Sequence, residues 1–220
     1  LTIDGSVATI AMDVDEDGIS TVNKESLQQN LDTFDTENIS KKEKEGLVYM
    51  REEEKLARDV YIVLFEKFGL SVFNNISKSE QTHTDAIKTL LDRYNIADPF
   101  ESQKKGIFVN EELQTLYDTL ISQGSESVSE ALHVGALIEE VDIVDLQKYI
   151  AETDNKDILF VYNNLLRGSR NHLRSFVKNL EKQTDTVYSP EYLDVSFYSE
   201  IIDSDMERGG GSKNKGRGKK

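Results

Sequence analysis

"MREEEKLARDVY", residues 50–61, sets three consecutive glutamates at the head of an apolar run with helical spacing. On a helix turning 100° per residue, Leu47, Met50, Tyr61, Phe65 and Phe68 all fall within about 40° of Glu54. Glu53 stands at the edge of that stripe, beside Ala57, Val60 and Leu64. Glu52 points away and reads as the solvated member of the run. A carboxylate in the middle of an apolar stripe must be paired, protonated or bound to a cation. Glu54 therefore raises the question of what faces it.

The rest of the chain offers three comparable helices. Helical periodicity is sustained over about 42–68, ending at Gly69, and over about 71–95. After a connection of about 30 residues it resumes over about 126–151 and 155–182. That connection holds one shorter helix, "NEELQTLYDTLISQG", with Asn110 as its cap. Short links make neighbouring helices antiparallel, and a long one can travel the length of a bundle. The expected fold is all-α: a four-helix bundle with one long crossover between its second and third helices, plus short accessory helices. Residues 1–41 form an acidic extension in which "VATIAM" reads as a short strand and "KESLQQNLDTF" as a short helix. Residues 42–182 form the bundle, and 183–207 pack on it with a short helix. The glycine-rich basic tail, 208–220, reads as disordered.

Each remaining long helix repeats the oddity of the first. On the second, Phe73, Ile76, Ile87, Leu91 and Tyr94 form a stripe with Glu80 in its middle and His83 one turn on. On the third, Leu132, Gly135, Leu146 and Ile150 align with Glu139. Glu140 is turned about 100° away, and Asp142 lies at the edge of Glu139's face. On the fourth, Ile158, Val161, Leu165, Gly168 and Phe176 surround His172. Arg58, Arg170 and Arg174 are candidate partners, which would make the chain a non-catalytic helical binding or interaction module with a structural polar core. The other reading is a metal site. Carboxylates converging in a low-dielectric core repel one another, and two divalent ions offset that charge. His133 lies roughly opposite Glu139 and reads as a surface residue.

Glu54 with Tyr61 seven residues on, Glu80-x-x-His83 and Glu139 resemble the di-iron positions of the ferritin-like superfamily. More closely, "EEEKLARDVY", "NISKSEQTH", "VGALIEEVDIVDL" and "GSRNHLRSF" resemble the ferritin-like family catalogued as domain of unknown function 2202, from about Lys42 to Ile202. The resemblance implies a ferritin-like bundle holding two iron ions, or iron with manganese. Glu54, Glu80, His83, Glu139 and His172 would be ligands, Glu53 and Asp142 outer candidates, and Tyr61 a redox or hydrogen-bonding residue. The chemistry implied is oxidation of ferrous iron or reduction of dioxygen or peroxide. One departure stands out: the fourth helix carries Ser169-x-x-His172 where the superfamily pattern has a second Glu-x-x-His.

Composition narrows the partners. The net charge is −15, and the last thirteen residues carry six basic side chains and no acidic ones, so the body is more acidic still. Such a body repels nucleic acid. No run is long or apolar enough to span a bilayer. The chain has no cysteine, so a thiolate electron-transfer centre is absent and any redox cycle needs an external electron donor. A homodimer is a candidate assembly. The first residue is Leu1, which reads as a processed or truncated product, extracytoplasmic after signal removal or otherwise cytoplasmic. "DVDEDG", with Asp13, Asp15 and Asp17 before Gly18, matches the opening of an EF-hand calcium loop, although its twelfth position is Lys24 rather than glutamate.

Overall fold

The computed structural model describes residues 12–14, 20–22, 24–100 and 104–208. Among these, seven helices account for nearly all regular structure: α1 (Lys24–Leu31), α2 (Lys41–Phe68), α3 (Ser71–Arg93), α4 (Glu111–Gly124), α5 (Val128–Ala151), α6 (Lys156–Thr184) and α7 (Val195–Asp203). A small antiparallel pair, β1 (Met12–Val14) and β2 (Ser20–Val22), precedes them in the register Met12↔Val22. The expected calcium loop begins on β1 at Asp13, but Asp15, Asp17 and Gly18 lie outside the described residues. No described helix is long and apolar enough to cross a membrane.

Local signals explain where the long helices start and stop. Ser40 caps α2 with a capping box: its Oγ accepts from the Glu43 N–H at 3.2 Å, and Glu43 returns a carboxylate to the Ser40 N–H at 2.8 Å. The same carboxylate accepts from Thr153 and Asn155 in the turn between α5 and α6, which ties two helix ends together. Gly69 ends α2 at φ 71°, a left-handed value that suits glycine, and its N–H bonds Phe65 O. Only residues 69 and 70 then separate α2 from α3, so the two run antiparallel. Asn110 caps α4 by accepting from the N–H groups of Glu112 and Leu113.

Each of the four long helices packs on two others, α2 on α3, α3 on α6, α6 on α5 and α5 on α2, while α4 covers α2 and α5. The shared core includes Leu47, Met50, Tyr61, Phe73, Ile87, Leu132, Leu165 and Phe176, all essentially without exposure. Gly135 on α5 lets the ring of Phe176 come close: a Cβ there would sit 2.5 Å from the ring carbons. Any side chain at that position would force the Phe176 ring to shift.

The second face of α2 is buried as well, which overturns the expectation of a solvated Glu52. Glu52 is 3% exposed and accepts the N–H groups of Val109 (2.6 Å) and Asn110 (3.0 Å). Lys55, fully buried, donates to Asp59 and to the carbonyls of Lys104 and Ile107. Arg51 holds Asp98 and the carbonyl of Thr84. The long connection lies across this face, and its irregular backbone needs partners that the charged side chains of "REEEK" supply. On α5, Glu140 does the same for the C-terminal segment, accepting the N–H groups of Glu191, Tyr192 and Leu193.

Candidate metal centre

Where the four long helices meet, α2 contributes Glu54, α3 contributes Glu80 and His83, α5 contributes Glu139, and α6 contributes His172. All are at most 2% exposed. The spacing of Glu80 and His83, three residues apart, puts both side chains on one face of α3. His83 Nδ1 lies 2.9 Å from Glu80 Oε2 and 3.1 Å from Glu54 Oε2. His172 Nδ1 lies 2.8 Å from Glu80 Oε1 and 3.4 Å from Glu139 Oε2. Glu80 thus presents one oxygen to each imidazole. The two rings stack with centroids 5.4 Å apart. Ligand-type atoms of Glu54, Glu80 and His83 all fall within 4.8 Å of one another, and so do those of Glu80, Glu139 and His172.

Neighbouring groups hold these side chains in place. The Tyr61 hydroxyl donates to Glu139 Oε1 at 2.5 Å and approaches Gly135 O at 3.3 Å, and its ring packs on Phe176. Ser79 Oγ lies 2.8 Å from His172 Nε2 and so fixes the outer nitrogen of that ring. Ser169, at the position of the missing fourth-helix carboxylate, donates to Asp142 Oδ2. Asp142 therefore lies close by, although neither it nor Glu53 belongs to the two three-residue groups. Ser79 carried no signal in the sequence, because its contact crosses from α3 to α6. Ser169 did carry one, as the departure from Glu-x-x-His, but nothing pointed to Asp142 as its acceptor.

The electrostatics are those of a site short of positive charge. Burial pushes the Glu54 carboxyl up to about 8, with His83 pulling against it and Glu80 adding repulsion. Burial also raises Glu139, Asp142 and Glu53, the last two further through neighbouring carboxylates. Glu80 goes the other way: despite burial, His172 and His83 hold it well below the usual carboxylate range. The imidazoles respond in kind. Burial alone would lower His172, but Glu80 and Glu139 bring it up to about 9, and Glu80 and Glu54 raise His83. Acceptor atoms nonetheless go unused. Glu54 Oε1, Asp142 Oδ1 and both oxygens of Glu53 are buried with no N–H or hydroxyl donating to them; Glu53 faces the carboxyl of Asp145, and Glu54 that of Glu80. Carboxylate and imidazole donors of this kind, with unsatisfied buried oxygens among them, fit divalent first-row ions.

The arginines proposed as alternative partners are engaged elsewhere. Arg58 pairs with Asp59 and Gln81, and Arg170 and Arg174 share Glu207. Among the described residues, the ion-pair partners of Glu54, Glu80 and Glu139 are the two imidazoles. His133 is half-buried rather than a free surface residue; it pairs with Glu191 at 3.2 Å and its ring meets that of Tyr188 at a tilt, centroids 5.1 Å apart. The C-terminal segment covers it, as it covers Glu140.

An all-helical protein with a buried carboxylate–imidazole cluster is the class that fold and site define, and the chain belongs to the family described as "Uncharacterized protein domain (DUF2202)", whose model matches residues 43–205. It is 53% identical over 171 residues to the uncharacterized protein MJ0754 of Methanocaldococcus jannaschii, covering 78% of this chain and 92% of the relative. A crystal structure of hypothetical protein MJ0754 from Methanococcus jannaschii DSM 2661 is similar in fold, with a TM-score of 0.77 and 51% identity over 79% of this chain and 98% of that one.

Proposed function

We propose that this chain is a ferritin-like di-metal carboxylate protein, its four long helices forming a four-helix bundle around two divalent ions, iron with iron or iron with manganese. The observation that carries the reading is Glu80, whose two oxygens each face a different imidazole and so join two three-residue groups into one site. Glu54 and His83 would complete one ion's protein ligands, and Glu139 and His172 the other's. Asp142 and Glu53 are the further carboxylates within the same buried region.

Bound together, two ions of this class supply electron transfer with dioxygen or peroxide, so the chemistry we infer is ferrous oxidation or oxygen or peroxide reduction. The chain's own residues set the conditions. Complete burial of the five side chains excludes bulk water. Tyr61 holds Glu139 by its hydroxyl, and Ser79 fixes the orientation of His172. In ferrous oxidation the ferrous ion itself would supply the electrons; for oxygen or peroxide reduction an external donor would, since the chain has no cysteine to build a thiolate electron-transfer centre.

Cobalt(II) titration followed by visible absorption tests the proposal. Two equivalents are expected to bind in the wild type, with His83→Ala and His172→Ala each abolishing one. Failure of the wild type to take up stoichiometric cobalt, zinc, iron or manganese would defeat it.

A further inference from the structure

A separate feature lies where α3 begins, against the last third of α6. A cavity of about 200 Å³ is lined there by Ser71, Val72 and Asn75 of α3 and by Ser175, Lys178 and Lys182 of α6. In a chain of net charge −15, the cavity has two lysines on its wall and no carboxylate. Neither lysine forms an ion pair among the described residues. The nearby Glu207 is neutralised by Arg170 and Arg174.

Three kinds of donor converge on this space. First, Leu70 occupies the N-cap of α3, and its apolar side chain caps nothing. The N–H groups of Ser71 and Val72 therefore find no partner among the described residues, at the positive end of a 23-residue helix. Second, Ser175 is 5% exposed, and its hydroxyl makes no hydrogen bond among the described residues. A serine buried in a helix ordinarily bonds the carbonyl one turn back; here its hydroxyl borders the cavity instead. Third, Lys178 and Lys182 follow Ser175 at the third and seventh positions, on the same face of α6. Unpartnered amides, an unpartnered hydroxyl and two ammonium groups around a small space make a cradle for an anion.

We propose that this cavity binds a small tetrahedral oxyanion of the phosphate class, either as inorganic phosphate or as the phosphate group of a small ester. The amides of Ser71 and Val72 and the Ser175 hydroxyl donate to its oxygens, and Lys178 and Lys182 balance its charge. The site is independent of the metal centre, although Ser175 stands one helical turn from His172.

Full-length, isotope-labelled protein titrated with inorganic phosphate, and separately with glycerol phosphate, gives the test through its amide resonances. Saturable shifts at Ser71 and Val72 are expected in the low-millimolar range or below. Lys178→Gln with Lys182→Gln should weaken binding at least about tenfold, and Ser175→Ala should weaken it several-fold with the rest of the spectrum unchanged. A stronger response to inorganic phosphate identifies the free ion, and a stronger response to the ester identifies a substituted phosphate. Absence of saturable shifts at these two amides, shifts centred on Glu54 and Glu80 instead, or equal affinity in the double variant would overturn the proposal.

Discussion

Replacing Tyr61 by Phe separates the part this residue plays in packing from the part it plays at the site. Its ring is fully buried against Phe73 and Phe176, and Phe keeps all of that contact. What is lost is the hydroxyl, which donates to Glu139 Oε1 at 2.5 Å and approaches Gly135 O at 3.3 Å. A hydrogen bond to a charged acceptor contributes about 1.5–3 kcal/mol. Removing a group that orients a metal ligand typically costs about 10–100-fold in affinity. Glu139 belongs with His172 and Glu80, not with Glu54 and His83. The expected result is therefore lopsided: one ion weakens about 10–100-fold, and the other changes by less than about threefold. Competition against a chromogenic chelator, resolving two binding steps, measures this. Equal weakening of both steps, or no change in either, would refute the argument that Tyr61 acts through Glu139.

Other outcomes follow from the same geometry. The metal-free protein should lose thermal stability as pH rises from about 7 to 9. Glu54 and His172 both titrate higher in the folded chain, at about 8 and about 9, than their ordinary values of 4.5 and 6.5, so the stabilisation from their bound protons disappears as pH rises through the folded values. Metal held as proposed would replace those protons and flatten this dependence, as melting curves with and without chelator would reveal. Glu52→Ala strips the acceptors from two backbone N–H groups of the long connection; a loss of about 2–4 kcal/mol is expected, with faster proteolysis near residues 104–110, and unaltered denaturant midpoints would count against the clamp. Gly135→Ala forces a methyl into the Phe176 ring and should destabilise by about 1–3 kcal/mol while weakening metal binding, both read from chelator titration and urea unfolding.

The helices were legible because their signals are local. The apolar stripes, Gly69 and Asn110 lie within the segments they shape, and α2 runs Lys41–Phe68 where periodicity placed a helix over 42–68. The inward direction of Glu54, Glu80, His83, Glu139 and His172 was legible for the same reason, since a helical wheel needs only the spacing of neighbours. What the wheel misses is cover supplied by irregular chain. It treats the side opposite the bundle core as solvent, yet Glu52 lies beneath the long connection and Glu140 beneath the C-terminal segment. Contacts between helices were equally out of reach: Ser79 with His172, Ser169 with Asp142, and the arginines turned toward Asp59 and Glu207 rather than the centre. In "MREEEKLARDVY", all three glutamates proved buried. Glu52 holds the connection, Glu54 faces His83, and Glu53 sits among Asp142, Asp145 and Glu54.

In the proposed site Glu80 joins two metal positions. Anomalous diffraction from crystals grown with ferrous iron or manganese measures this directly. Two peaks about 3.5–4 Å apart, one beside His83 and one beside His172 with Glu80 between them, are predicted. A single peak, or none within reach of Glu80, would contradict it.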